Sequence, residues 1–518
     1  MAKHIVLCSD GTGNIDIKGR GTNVFKLFEA IDLNEHRTNL DLDAQLAFYD
    51  DGVGSKGNVL VRVAGGAVGY GLKRNVKELY RELSRVYDPG DRVFLFGFSR
   101  GAFTVRTLAG MIETCGVLQG ENFTTSSALR DATEDAYDAY RAKYHSTLTR
   151  AIGYVLGWPD GAAAVDAFKS QHEPHEHVPI EFMGVWDTVD AVGMPFKLAS
   201  FVNSQIYQFK FSTQTLGKSV TRACHALSID DPRLSFEPVL WQGPDDRIKQ
   251  VWFAGVHSNV GGGYPKQGMS LVALDWMLGH AEQCGLRLQR SDRELFRGHA
   301  TADDLIYDPR AGLGLFYRWG PRDVRSYCTR SRIEPSIHLS VAERIAHATD
   351  DYAPGNIPPH SQVAWTPADL HDAERVRHDA ILAMRAGAVE KALTAALEKR
   401  YLLNEVQGSI WVGTASYLAF LLAWALTIFS VVSGGAGLVF WFDWPLVAAV
   451  TLLIGAVAFF AAWVLGRHAD RRLEDHFSSF WQKHQKDLRH ALKTAKAEAR
   501  SVYGVSPAAP SPDRAATG

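Results

Sequence analysis

Residues 91–110 read DRVFLFGFSRGAFTVRTLAG, and every other part of the chain is read outward from them. The apolar run Val93–Phe96 predicts a strand buried on both faces, and the spacing after Gly101 predicts a helix. Between them stand only Gly97-Phe98-Ser99-Arg100-Gly101, a G-x-S-x-G sequence in the setting of strand, sharp turn and helix. Such a turn presents Ser99 at a helix N-terminus, where amide groups and the helix dipole favour developing negative charge. Side chains at Gly97 and Gly101 would collide with the adjoining strand and helix, so glycine is the residue type the turn requires.

Further candidate strands are His4–Cys8, Gln45–Tyr49, Ile180–Trp186 and Gln250–Ala254, alternating with helical stretches. That alternation predicts an α/β domain with a mainly parallel sheet and helical insertions, one of them within residues 123–170. Chemistry in open α/β sheets collects at the carboxyl ends of the strands. A serine hydroxyl needs a base to take its proton, and the base needs a carboxylate to orient it. Downstream of Ser99, Asp187 ends the run IEFMGVWD and His257 follows VWFAGV, which gives the order serine, acid, histidine of the α/β-hydrolase fold. Asp190 is a second carboxylate in the same loop as Asp187. Two amides are expected to stabilise an oxyanion: that of Arg100, and that of Gly11 or Thr12 in the loop SDGTGN after the first strand. Asp10 would support that loop as an Asx turn, with Gly97 and Gly101 supporting the serine.

Composition narrows the alternatives. The chain has 518 residues, with 55 Lys+Arg against 57 Asp+Glu, so there is no basic excess for nucleic-acid binding. Five scattered cysteines form no CxxC pair, which argues against a disulfide framework or a zinc ribbon and suits a reducing compartment. His172, His175 and His177 do not have the HExxH spacing and read as a polar loop, and no metal or organic cofactor is called for. The short apolar run at the N-terminus reads as a first strand and not as a signal peptide.

Taken together, DGTGN, YDDGVGS, YDPGDRVFLFGFSRGAFTVRTLAG, GVWDTVDAVG, HALSIDDPRLSFEPVLW and VWFAGVHSNVGGGYP occur in that order. The set resembles an uncharacterised alpha/beta hydrolase domain family of bacteria and fungi that includes the catalytic domain of certain type VI secretion phospholipase effectors. The likeness covers residues 3 to about 360. It implies esterase chemistry on glycerophospholipid acyl bonds, with Ser99 as nucleophile, Asp187 as acid and His257 as base. His225, Asp230, Asp231 and Arg233 fall in the family-like HALSIDDPR segment and are expected to form a buried polar network.

The C-terminal part has a different composition. Gln407–Phe442 carries no charge, nor does Trp444–Gly466, and the stretches Trp411–Val432 and Leu446–Leu465 are each long enough to cross about 30 Å of hydrocarbon as a helix. With Gly434, Gly435 and Gly437 between them, they read as a transmembrane hairpin, tryptophans near its ends. Lys399 and Arg400 before it, and Arg467, Arg471 and Arg472 after it, place both termini in the cytoplasm, as in a multi-pass bacterial inner-membrane protein. The expected organisation is a catalytic domain at 1–367, a helical connector at 368–406, the hairpin at 407–466, a charged helix at 467–503 and a disordered tail at 504–518. The functional expectation is a membrane-anchored serine hydrolase acting on phospholipid or other lipid acyl esters at a bilayer. An esterase or thioesterase on non-lipid acyl groups, and a catalytically silent membrane scaffold, are the competing expectations.

Overall fold

The computed structural model describes residues 2–11, 21–52, 67–143, 160–189, 214–309, 319–365, 385–398, 400–440 and 445–503. Within these, eight strands form one sheet: β1 (Lys3–Ser9), β2 (Ala44–Asp50), β3 (Arg92–Phe98), β4 (Ile180–Trp186), β5 (Ala223–Ser228), β6 (Ile248–Phe253), β7 (Ser336–His338) and β8 (Gln362–Ala364). Their order is β2-β1-β3-β4-β5-β6-β7-β8, and every neighbouring pair is parallel. The order reverses between β1 and β3, so the crevice of an open α/β sheet lies at their carboxyl ends.

The central strands are buried on both faces, which is why they read as continuous apolar runs. Ile5, Leu7, Val93, Leu95 and Val185 face a layer made of α1 (Ala67–Val86), α2 (Arg100–Cys115), α3 (Ser126–Lys143) and α4 (Gly161–His172). Val6, Phe94, Phe96 and Trp186 face the other way, against Asn23–Ala30 and α5 (Gly268–Gln283). The expected insertion therefore packs into a helical layer: Tyr140 of α3 lies against Gly110 of α2, and the Cys115 thiol donates to Ala136 O at 3.4 Å. Residues 144–159 lie outside the description.

A third cluster joins the β6–β8 end of the sheet to the C-terminal part of the chain. Trp252, Ile337 and Val363 pack with Val341 and Ile345 of Leu339–His347, with Val389 and Leu393 of Gly387–Leu397, and with Phe477, Trp481, Leu488 and Leu492. The apolar core thus continues past residue 367. The last four belong to α7 (Pro445–Tyr503), one continuous helix of 59 residues running from the second uncharged stretch through the charged C-terminal stretch. Before it, α6 (Gln407–Phe440) carries the first uncharged stretch. The two helices lie against each other, with Ser416 Oγ donating to Ala462 O at 2.7 Å and Ser430 Oγ to Ala448 O at 2.6 Å. The turn expected at Gly434–Gly437 does not occur there, because α6 runs on to Phe440. Glycine in a helix interior costs only about 1 kcal/mol against alanine, and in apolar surroundings an unbroken helix keeps every backbone hydrogen bond satisfied. Residues 441–444 and the expected tail at 504–518 lie outside the described residues.

Candidate active site

Register brings the strand ends into line: Ser9 pairs with Asp50 and Gly97, Phe98 with Trp186, Trp186 with Ala226, and Ser228 with Phe253. Ser99 follows β3 directly, Asp187 follows β4 directly, and His257 lies four residues beyond β6. Ser99 adopts φ +57°, and its amide donates to Trp186 O at 3.0 Å. A non-glycine residue at such φ stores about 1–3 kcal/mol of strain, which the surrounding packing must hold. That packing leaves no space for side chains on either side of the turn. A Cβ at Gly97 would stand 2.6 Å from Gly101 O, and one at Gly101 would stand 2.6 Å from Asp10 O.

The three side chains meet. Ser99 Oγ is 2.8 Å from His257 Nε2, and His257 Nδ1 is 2.5 Å from Asp187 Oδ2. With Nδ1–H donating to the carboxylate, Nε2 is left to accept from the serine. All three groups are buried. Phe98 lies 4.6 Å from the imidazole between ring centroids, and Phe236 meets it edge-on at 5.1 Å. Burial pushes the His257 pKa below its ordinary 6.5, with Asp187 opposing. Burial alone would raise the Asp187 pKa. The Arg322 guanidinium and His257 outweigh it and hold the carboxyl well below the usual carboxylate range.

Arg322 is the residue that sequence reasoning missed. It donates through Nη1 to Asp187 Oδ1 at 2.7 Å and through Nη2 to Asp187 Oδ2 at 2.9 Å, while also reaching Ser228 O at 2.6 Å and Phe236 O at 2.7 Å. The Ser228 amide adds a further bond to Asp187 Oδ1 at 3.0 Å. Nothing in GPRDV marks that arginine; only the fold brings it 135 positions back to Asp187. The HALSIDDPR segment supplies β5 and the loop behind the histidine. His225 Nε2 accepts from the Thr188 amide at 3.1 Å, and Asp231 Oδ2 accepts from the His257 amide at 3.0 Å while pairing with Arg233 at 2.7 Å. Asp230 accepts from the Gly255 amide at 2.6 Å and from Tyr352 Oη at 2.8 Å, and burial pushes its pKa up to about 6.

The candidate oxyanion loop adjoins the turn. Arg100 opens α2 immediately after Ser99. Asp10 accepts from the Tyr49 hydroxyl at 2.7 Å and from Thr22, and the Gly11 amide donates to Asp10 Oδ1 at 2.6 Å. The Gly11 amide is therefore turned toward its neighbour's carboxylate in this conformation. Thr12 and Asp190 lie outside the described residues. Among the described residues, no three His, Cys, Asp or Glu side chains converge as a metal site would require.

The family described as "T6SS, Phospholipase effector Tle1-like, catalytic domain" matches residues 3–280, which hold Ser99, Asp187 and His257. An uncharacterized protein of Saccharomyces cerevisiae is 29% identical over 205 residues, which are 37% of this chain and 27% of that protein. The chain thus spans little more than a quarter of that relative. A crystal structure of an uncharacterized protein from Pseudomonas aeruginosa aligns over 77% of this chain and 58% of the other, with 17% identity and a TM-score of 0.32.

Proposed function

This chain belongs to the family of T6SS phospholipase effector Tle1-like catalytic domains, and from that premise we propose that it is a membrane-anchored serine hydrolase of the α/β-hydrolase class that cleaves phospholipid acyl esters. The observation that carries the reading is the continuous hydrogen-bonded line from Ser99 Oγ through the His257 ring to Asp187, with spacings of 2.8 and 2.5 Å. Ser99 Oγ attacks the acyl carbonyl carbon as His257 Nε2 takes the hydroxyl proton. Asp187 holds the ring in the required tautomer and stabilises the imidazolium. The Arg100 amide is assigned the oxyanion in this reading, with the Thr12 amide as the expected second donor in place of the Gly11 amide, which is engaged by Asp10. Collapse breaks the ester C–O bond, and His257 returns its proton to the departing alcohol. Water then attacks the acyl-serine by the same route in reverse roles and releases the fatty acid.

The membrane part of the proposal rests on α6 and α7. Both are long and apolar enough to cross a bilayer, and among the described residues of the two uncharged stretches most apolar side chains are exposed. A core helix of a soluble protein would bury them. We read the pair as a transmembrane hairpin whose basic flanks, Arg400 and Arg467–Arg472, keep the sheet domain on the cytoplasmic side. The test is hydrolysis of phospholipid in mixed micelles by wild type and Ser99→Ala, together with fluorophosphonate labelling. Ser99→Ala is expected to lose label and hydrolysis while keeping its circular dichroism and thermal transition. Full hydrolysis by Ser99→Ala sinks the reading, and wild type that neither labels nor hydrolyses points to a silent scaffold.

A further inference from the structure

We propose that Arg322 is a positioning residue for this site: its guanidinium fixes the orientation of the Asp187 carboxylate and shares its charge, so that the resting His257 ring stays neutral and able to accept the Ser99 proton. The inference rests on the serine-hydrolase reading above and names how its acid is held.

The geometry has three parts. First, the guanidinium spans both carboxylate oxygens, at 2.7 and 2.9 Å, the bidentate fork that only arginine provides. Second, the fork is itself held: Arg322 also donates to Ser228 O and Phe236 O, and the Asn356 amide group donates to Arg322 O at 3.1 Å and to Ile229 O at 2.7 Å. Third, Asp187 Oδ2 serves both His257 Nδ1 and Arg322 Nη2, so the two cation-forming groups compete for one oxygen. A Ser-His-Asp relay works with a lone carboxylate beside the histidine. Here the buried charges on the acid side sum to zero, and the imidazole is flanked by a neutral pair. The other charged groups facing it are Asp231, which accepts its backbone amide, and Arg233, which pairs with Asp231; these two offset each other. Tyr327, Asp231, Asp230 and His225 are further titratable groups near Arg322 itself.

Removing the guanidinium has a definite sign. Without it, the Asp187 charge is left to His257 alone, and the buried pair retains a shared proton up to higher pH. The test uses the full chain in detergent micelles as wild type, Arg322→Met and Arg322→Lys. The readouts are kcat and kcat/KM against pH on a soluble short-chain ester, and the imidazole nitrogen shifts of His257 without substrate. Arg322→Met is expected to move the acid limb of kcat/KM, and the His257 titration with it, upward by about one to three pH units. Arg322→Lys keeps the charge and the limb but loses the fork. Its kcat is expected to fall about ten- to a hundredfold with KM little changed. A folded Arg322→Met with an unmoved limb, or an Arg322→Lys with wild-type kcat, overturns the proposal. If Arg322→Met does not fold, the kcat of Arg322→Lys decides. If wild type shows no Ser99-dependent hydrolysis, the hydrolase reading fails by itself, while the His257 titration still reports whether Arg322 sets its protonation.

Discussion

His257 is surrounded by groups that pull its proton affinity in opposite directions, and the balance fixes how the molecule should respond to acid. Burial lowers its pKa from the ordinary 6.5, and Asp187 recovers only part of that loss. In the proposed mechanism the neutral ring is the base, so kcat/KM should be level at neutral pH and decline only as pH falls through a value below 6.5. Stability follows the same sign. The unfolded chain takes up the His257 proton near 6.5 while the folded chain resists it, so stability present above 6.5 is lost progressively as pH falls toward the folded value. Asp187 acts in a lower window: its depressed pKa gives stability that is complete above the ordinary 3.8 and declines only below it. Thermal transitions measured from pH 8 to 5 should therefore carry a falling contribution from His257, beside those of His225, His280 and His338, whose pKa values burial also lowers, and against the opposite contributions of Asp50 and Asp230, which burial pushes up to about 6. Replacing His257 by Gln should flatten that part of the slope. A slope unchanged in His257→Gln would show that other buried histidines, such as His225 or His338, govern the acid response.

At the scale of elements, the strands carrying Ser99 and Asp187 were legible because they are continuous apolar runs with a glycine-rich or acidic end, and the observed β4 coincides with the expected Ile180–Trp186. The strand between Asp187 and His257 was not. Ala223–Ser228 reads ACHALS, and its His225 and Ser228 disguise a strand whose every residue is buried. Those polar residues are satisfied by Thr188, Gln250 and Gly255, partners that no local pattern could reveal. β7 and β8 are three residues each, too short for alternation to register. The charged C-terminal stretch hid its role in another way: its apolar residues Phe477, Trp481, Leu488 and Leu492 recur at helical spacing, yet only the structure shows the β6–β8 edge waiting for them. Trp481 is buried, and its indole donates to Pro354 O at 2.8 Å. Trp481→Ala should destabilise the folded domain by about 3–5 kcal/mol, measured as thermal or denaturant unfolding of the full chain in micelles. The same substitution on a helix standing free in solvent would change stability by less than about 0.5 kcal/mol, and that result would remove the docked helix from the description.

For the molecule as a whole, α7 joins the apolar stretch proposed to cross the membrane to the stretch that packs on the sheet, in one continuous helix. At about 1.5 Å per residue its 59 residues extend roughly 88 Å, more than a bilayer needs, and the excess is what packs on the sheet. Trp481 and Arg489 bond to Pro354 O and Ala346 O, and Lys496 pairs with Glu343, so the sheet domain hangs from the same helix whose first half is proposed to lie in lipid. In the proposed reading such a coupling fixes the distance between site and leaflet, which a flexible tether would not do. It also makes the membrane claim testable without disturbing the domain. Leu453 and Phe460 are 65% and 64% exposed on α7, seven residues apart and on one face, while the buried side of this segment is taken by α6. Arginine near the middle of a membrane helix costs about 2.5–3.5 kcal/mol, whereas the same residue on a water-facing helix costs almost nothing. Wild type should stay with the membrane pellet after alkaline carbonate, and Leu453→Arg with Phe460→Arg should shift the chain substantially into the supernatant. Hydrolysis of a soluble short-chain ester should survive, because Ser99, His257 and Asp187 lie on the sheet, far along the chain from the altered helix. If wild type is extracted by carbonate, or the double variant is retained as fully as wild type, those apolar faces meet something other than lipid.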